Sequence, residues 1–176
     1  MARYRRARRY TRRRTRWSSN LIDIGPNNFV LTTPQDWNHT EFTLITNPDY
    51  SDQLTSNLYT IKNVEVTLQF DASSTSAIGI ENVQFYIMYV PQNMYVGQDY
   101  AIKHPEYIMA MRYYGEPGQD ATSATKYSPS IKIKSRLARK LNAGDRIILL
   151  IRASNISGNS LTTMFGGLCR FWTKAN

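Results

Sequence analysis

Residues 58–70 read LYTIKNVEVTLQF and contain the clearest β-strand pattern of the chain. Apolar side chains occupy every second position of its latter half, at Val64, Val66, Leu68 and Phe70. Tyr59 and Ile61 are also apolar but have the opposite parity, which indicates one extra residue near Lys62 and Asn63. A β-bulge at that point would return both apolar sets to the same face of one long strand.

Six other short segments have strand patterns bounded by turn residues: residues 39–46, 83–90, 107–114, 131–134, 147–151 and 161–173. Residues 83–90 are apolar at both parities, which predicts a strand covered on both faces. Within the last segment, the Gly166–Gly167 pair predicts a bulge or a close backbone approach. Leu137 and Leu141 are four residues apart and predict about one helical turn. Many short strands with almost no helical periodicity predict an all-β fold, either a sandwich or a jelly roll.

The net charge of the 176-residue chain is +9, and all of it comes from residues 1–16. That segment has no carboxylate and nine arginines: Arg3, Arg5, Arg6, Arg8, Arg9, Arg12, Arg13, Arg14 and Arg16. The rest of the chain has 13 basic and 13 acidic residues. Because an acid-free arginine segment buries too little apolar surface to order itself, we expect a disordered basic arm at residues 1–17. We expect a polar linker at residues 18–38 and a single domain at residues 39–176.

The sequence disfavours membrane and secreted proteins. The longest wholly apolar run, residues 85–90, is far shorter than the roughly 20 residues that span a bilayer, so we expect no membrane insertion. Residues 17–31 hold Asp23, Pro26 and several amides where a signal peptide needs an apolar core. The single cysteine, Cys169, allows no internal disulfide and indicates a reducing compartment.

The arginine segment predicts nucleic-acid binding. Each guanidinium makes bidentate hydrogen bonds to phosphate, and each neutralised phosphate releases counterions whatever the base sequence. Trp17 adds a ring for base stacking, and nuclear import is a second use of such a basic cluster. A second basic cluster could extend the nucleic-acid surface; it comprises Lys126, Lys132, Lys134, Arg136, Arg139 and Lys140. Strand alternation would place Lys132, Lys134 and Arg136 on one face. An ordinary solvated strand face is the equally weighted alternative, because the body is neutral overall.

Catalysis finds little support in the residues. His39 and His104 are the only histidines, and neither lies in a motif for a nucleophile or a metal. No phosphate-binding glycine loop is present, so we expect no cofactor and no enzymatic activity. Four acids in predicted loops could bind a divalent ion only where several chains meet, and are more often turn or cap residues; they are Asp36, Asp49, Asp52 and Asp145. Whether a metal is present stays open at this point.

Three motifs behind the arginine segment resemble the capsid proteins of small circular Rep-encoding single-stranded DNA viruses, the circovirus-like CRESS-DNA viruses. They are residues 85–92 (FYIMYVPQ), 104–112 (HPEYIMAMR) and 135–145 (SRLARKLNAGD). The resemblance covers most of residues 40–173. It implies an eight-stranded viral jelly roll whose shell domain, residues 39–176, assembles into a T=1 icosahedron of about sixty copies, with the arm on the genome inside. It places the strand not yet located near residues 91–103 or 123–130.

The same resemblance implies the partners and location. The partners would be single-stranded viral DNA, further copies of this chain, host nuclear import factors and a host surface receptor. The protein would belong to the virion and pass through the host nucleus during assembly. Plant satellite-virus coat proteins are similar in plan and package RNA, and a cellular nucleic-acid-binding protein with a basic tail is the other alternative, since phosphate contacts alone do not distinguish them.

Overall fold

The computed structural model describes residues 17–32, 37–48, 59–71, 80–114, 130–155 and 159–175, and nearly all of its regular structure is β-strand. The strands in this part of the chain are β1 (Ser18–Asp23), β2 (Asn27–Leu31), β3 (Trp37–Thr46), β4 (Tyr59–Asp71), β5 (Ile80–Val90), β6 (Ile108–Tyr114), β7 (Ser130–Lys134), β8 (Arg139–Leu141), β9 (Arg146–Asn155) and β10 (Leu161–Ala175). A four-residue helix, α1 (Tyr100–Lys103), and one 3₁₀ turn (Pro105–Tyr107) lie between β5 and β6. The predicted all-β class is therefore confirmed.

The strands form two antiparallel sheets that enclose one core. One sheet has the order β1-β10-β4-β7, with β2 also on β10 and β8 also on β4, and the other has the order β3-β9-β5-β6. If β1 with β2, and β7 with β8, are each counted as one interrupted strand, the first sheet holds strands one, eight, three and six. The second sheet then holds strands two, seven, four and five, which is the strand order of a jelly roll.

The bulge predicted in β4 is confirmed. The register between β4 and β10 shifts between Arg170 and Trp172, and Asn63 on the opposite strand has a φ of 52°. Asparagine tolerates this left-handed conformation better than most residues. Ile61 and Val64 are both buried in the core, so the extra residue restores the apolar set to one face.

The linker predicted at residues 18–38 is wrong for most of its length. Residues 18–31 form β1 and β2, and Ile24, Phe29 and Leu31 are buried in the core. The break at Gly25 and Pro26 hides this strand in the sequence, because it interrupts the apolar pattern where the chain shifts along β10. This interrupted strand is the missing eighth strand, so its expected place near residues 91–103 is also wrong; residues 123–129 lie outside the described part.

The helical turn predicted from Leu137 and Leu141 is also wrong. Residues 135–138 connect β7 to β8 without helical structure, and Leu137 is exposed. Only Leu141 is buried, where β8 pairs with β4. The two leucines are therefore four residues apart without sharing a helix face, because one lies in a connection and the other in a strand. The backbone turns at Ser135, whose N–H donates a hydrogen bond to the Val64 carbonyl at 2.8 Å.

The prediction that β5 is covered on both faces is confirmed. Phe85 and Ile87 point into the core between the sheets, while Tyr86 and Met88 belong to a second apolar cluster on the outside of the four-stranded sheet. Residues 91–107 lie over that outer side and contribute side chains to the second cluster, among them Tyr100. The fold therefore has a third layer on one sheet, built from the chain between β5 and β6.

The close approach predicted at the glycine pair of β10 is confirmed as well. A Cβ atom on Gly167 would overlap the carbonyl oxygen of Thr67 on β4, and one on Gly166 would lie 3.0 Å from the carbonyl oxygen of Gly25. The N–H of Ile24 donates to the carbonyl of Gly167 at 2.8 Å. Glycine is required at position 166 because the corner between β1 and β2 lies against the β10 backbone, and at position 167 because the β4 backbone lies there.

Candidate nucleic-acid interface

The outer surface of the six-stranded sheet, hereafter the basic face, is built from strands that are far apart in sequence. Partners in an antiparallel ladder share a face, so the register gives the rows of side chains across this surface. One row joins Lys134 on β7 through Glu65 and Arg170 to Leu21 on β1. The next row runs through the four side chains Lys132, Thr67, Leu168 and Asp23.

Two further rows lie at the end of the sheet where residues 1–16 join the fold. One consists of Lys140, Thr60 and Lys174, and the other of Lys62, Trp172 and Ser19. Trp17 precedes β1 directly, and the ammonium nitrogen of Lys62 lies 3.9 Å from the centroid of its indole ring. We call this end of the basic face the arm root, defined as Trp17, Lys62, Lys140, Trp172 and Lys174.

Basic residues outnumber acidic residues on this face. The register places six bases on it: Lys62, Lys132, Lys134, Lys140, Arg170 and Lys174. Among the residues whose side chains the structure describes, the acids at the corresponding positions are Asp23 and Glu65, and the two rows of the arm root hold none. A surface with this excess of positive charge attracts polyanions.

Glu65 neutralises part of the second basic cluster. Its Oε1 lies 3.0 Å from the Lys132 ammonium nitrogen, and its Oε2 lies 3.2 Å from the Lys134 ammonium nitrogen. Hydrogen bonds from Lys132, and then from Lys134, hold the pKa of Glu65 below its usual value. These two lysines therefore lie on the predicted face but share a carboxylate that a phosphate group would have to displace.

The structure divides the second basic cluster. Lys140 is exposed on the basic face, whereas β7 ends at Lys134 and leaves Arg136 in the connection to β8. The strand alternation expected to bring Arg136 to the same face is therefore wrong. Arg139 pairs opposite Ile61; its guanidinium donates to the Glu106 carbonyl at 2.8 Å and lies 5.6 Å from the Tyr89 ring centroid. Arg139 thus joins β8 to the layer formed by residues 91–107.

The predicted arginines of residues 1–16 lie outside the described residues, as do Asp36, Asp49, Asp52 and Lys126. Trp17 is described and lies at the arm root. Sequence reasoning missed Lys62, Arg170, Trp172 and Lys174 as members of a charged surface. The signal for the last three was their spacing of two along the final strand, which places them on one face; their proximity to Lys62 depends on the strand register.

The other candidate residues have structural contacts. His104 lies with its ring centroid 5.5 Å from that of Tyr107, and its Nδ1 is 3.2 Å from a Glu106 carboxylate oxygen. Asp145 is buried and accepts hydrogen bonds from the Tyr89 hydroxyl, the Gln92 N–H and the Asn142 N–H, at 2.6, 3.0 and 2.8 Å. Asp145 therefore stabilises a turn, which is the second of the two predicted roles, the first being a ligand of a divalent ion.

Cys169 is buried in the core, and burial raises the pKa of its thiol to about 12. Within the described ranges, no three His, Cys, Asp or Glu side chains are grouped so that they could hold a metal ion. Over the same ranges, no helix has the length and apolar character to cross a membrane.

A shallow groove of about 470 Å³ also lies on the basic face, over the glycine pair. Its walls include Asp23, Pro26, Gln69, Met164 and Leu168. The groove exists because β10 has no side chains at the glycines. It adds an apolar strip beside the charged rows of this face.

Comparison with known proteins gives no family for this chain: no family model and no curated protein matches it. Among solved structures, that of infectious bursal disease virus Gx strain is similar over 89% of this chain and 32% of its own, with 11% identity and a TM-score of 0.40. This chain thus spans about a third of that one.

Two other structures have a similar likeness. The structure of Cocksfoot mottle virus covers 87% of this chain and 94% of its own, with 8% identity and a TM-score of 0.36. The family 11 carbohydrate-binding module from Clostridium thermocellum covers 87% of this chain and 86% of its own, with 12% identity and the same TM-score of 0.36. The jelly-roll assignment rests on the strand order of this chain and not on these similarities.

Proposed function

We propose that this protein is the structural subunit of a small icosahedral virus shell, and that it packages a single-stranded DNA genome through residues 1–16. One observation carries the proposal: a segment with nine arginines and no acid leads directly into β1 of a jelly roll whose remaining residues have no net charge. The resemblance of three sequence motifs to circovirus-like capsid proteins supports the same function.

The charge distribution divides the work between two parts of the chain. Arginines on residues 1–16 bind phosphates without regard to base sequence, so their contribution weakens steeply as salt rises. The neutral body lets identical copies approach one another without long-range repulsion, as assembly of about sixty copies with T=1 symmetry requires. The same arginine segment would also serve nuclear import, and the proposed site of assembly is therefore the host nucleus.

Deletion of residues 1–16 tests this division. We expect the truncated protein to form empty shells in the electron microscope, while the full chain forms shells that contain nucleic acid. A variant with lysine at all nine arginine positions should keep packaging, because its charge is unchanged, and a variant with glutamine at those positions should lose it. A truncated protein that stays monomeric, or that still packages nucleic acid, would contradict the proposal.

The identity of the packaged nucleic acid separates DNA from RNA coats. Nucleic acid extracted from purified shells should be degraded by DNase and resist RNase. RNase sensitivity would assign the protein to the satellite-virus type of coat. A full chain that binds nucleic acid but remains a 20.3 kDa monomer would instead indicate a cellular binding protein, although the neutral body disfavours that class.

A further inference from the structure

We propose that the arm root is a binding site for single-stranded nucleic acid, and that it selects single strands over duplexes. The inference rests on the proposed function, because it assigns strand selectivity to the folded body and leaves most of the affinity to residues 1–16. It goes further by naming a folded site with a fixed geometry. The site combines two indole rings with three ammonium groups: Trp17, Trp172, Lys62, Lys140 and Lys174.

The register brings these five side chains to one end of one face. Trp172 and Lys174 are two residues apart on β10, so both point outward, and their partners across the ladder are Lys62 and Thr60 on β4. Lys140 on β8 is the partner of Thr60 on its other side. Trp17 precedes β1, whose first residue pairs with Thr173 on β10. The site is therefore held by three neighbouring ladders.

The Trp17 ring has a defined place within the site. The Lys62 ammonium lies 3.9 Å from its centroid, which is within the distance of a favourable cation–π contact. This contact restrains the indole at the point where residues 1–16 leave the sheet. A nucleic-acid strand bound to the arginine segment would therefore contact a positioned aromatic ring where it first touches the folded body.

The three lysines of the site are available to phosphates. Among the described residues, no carboxylate lies within ion-pair distance of Lys62, Lys140 or Lys174, whereas Lys132 and Lys134 share Glu65. Binding a phosphate at the arm root breaks no ion pair of the described structure. Binding one at Lys132 or Lys134 has to compete with a carboxylate already in place.

Aromatic rings and cations together distinguish single strands from duplexes. Arginines on phosphates stabilise both forms, because both have a phosphate backbone. Unpaired bases can stack on an indole, whereas bases in a duplex are already stacked on one another and point inward. Stacking on Trp17 and Trp172 therefore adds affinity for a single strand only, while the lysines hold its backbone beside the rings.

The test compares single-stranded and duplex DNA of equal length in the full chain, at one fixed salt concentration. We expect the wild-type protein to bind the single strand more tightly. Trp172→Leu should weaken single-strand binding about 5- to 100-fold and leave duplex binding nearly unchanged. Trp172→Tyr should restore part of the loss, because it keeps an aromatic ring, and Trp17→Leu should act in the same direction without disturbing a ladder pair.

Lysine variants give matched controls of equal charge change. Lys62→Gln should lower the preference for single strands, because it removes a phosphate partner and releases the Trp17 ring. Lys103→Gln, on α1 at the other sheet, and Lys132→Gln, on the same face beside Glu65, should leave the preference unchanged. Thermal unfolding of each variant checks that the fold is retained.

The outcomes separate this site from the proposed function. If the full chain binds no nucleic acid, both are overturned. If the wild-type chain binds single strands and duplexes equally, or if Trp17→Leu and Trp172→Leu both keep the full wild-type preference, the arm-root site is overturned while packaging by residues 1–16 stands. If Lys132→Gln changes the preference as much as Lys62→Gln, general surface charge accounts for binding and the site is likewise overturned.

Discussion

The outer surfaces of the two sheets differ although both belong to the same jelly roll. On the four-stranded sheet, residues 91–107 cover an apolar cluster that includes Met88, Ile148 and Leu150, all fully buried. On the six-stranded sheet, the outward positions hold lysines, threonines, Arg170, Glu65 and Trp172, together with the exposed side chains of Leu21 and Leu168. One surface is completed by its own chain, and the other displays charge.

The difference shows where each sheet can accept a partner. The apolar cluster is buried and therefore cannot contact a partner. Because exposing its side chains to water would be unfavourable, the cluster stabilises the folded domain. The basic face holds most of its side chains in water and contributes little to stability, so its residues can serve binding. The predictions below test this contrast from the largest expected effect to the smallest.

The largest effect is expected from paired leucine truncations, one on each surface. Leu150→Ala should lower the free energy of unfolding by about 2–5 kcal/mol, because Leu150 is fully buried and its removal leaves a cavity. Leu168→Ala on the basic face, where the side chain is 48% exposed, should change it by less than about 1 kcal/mol. Urea unfolding of the unassembled protein measures both, and equal losses would contradict the contrast between the surfaces.

An intermediate effect is expected at the anchor of the covering layer. Asp145 accepts hydrogen bonds from the Tyr89 hydroxyl and from the N–H groups of Gln92 and Asn142, so it fixes the start of residues 91–107 to the start of β9. Asp145→Asn cannot accept all three hydrogen bonds and should cost about 1–3 kcal/mol. Asp23→Asn removes an exposed carboxylate from the basic face and serves as the control, with an expected change within about 0.5 kcal/mol. A harmless Asp145→Asn would show that the layer is held by apolar contacts alone.

The smallest effect is expected from the ion pairs of the basic face. Because the folded pKa of Glu65 is lowered, its contribution to stability is present above the ordinary glutamate pKa of about 4.3 and is lost as pH falls through the folded pKa. Glu65→Gln should therefore lower the free energy of unfolding at neutral pH by less than about 1 kcal/mol, since both lysine ends are exposed. The difference from wild type should vanish in acid, and a difference that grows in acid would contradict the assigned pairing.

The same variant links stability to binding. Glu65→Gln releases Lys132 and Lys134 from their shared carboxylate, so the affinity for nucleic acid at low salt should rise while the free energy of unfolding falls slightly. Filter binding over a salt series measures the change. Lys132→Gln is the reciprocal control, because it removes one cation from the same cluster and leaves Glu65 paired with Lys134.

Much of the fold could be predicted from the sequence because local patterns are strong in most strands. The alternation in residues 64–70, the apolar run at residues 83–90 and the glycine pair at residues 166–167 each indicated a feature that the structure contains. The bulge at Asn63 was predictable because two sets of opposite parity have to reach one core. The strand at residues 18–31 was not, because Gly25 and Pro26 split it and its amides resemble those of a loop.

The candidate site was predictable only in part. Residue type singled out the arginines, Trp17 and the lysines between residues 132 and 140, since charge density is visible along the chain. The sequence could not show that Glu65 holds two of those lysines or that Arg139 contacts the opposite layer. Nor could it bring Lys62 and Trp172 together, because more than a hundred residues separate them and only the β4–β10 register makes them neighbours.

The sequence by itself determined the β class, the concentration of charge in residues 1–16 and the neutrality of the remaining chain, because these depend on residue type and local period. The tertiary structure alone decided which lysines are paired, which side chains surround Trp17 and which sheet surface is covered. These properties depend on contacts between distant strands, which form only when burial of both sheets in one core fixes their register. The proposed division of labour follows from both: composition provides an arm that binds phosphate, and register provides a folded surface beside it.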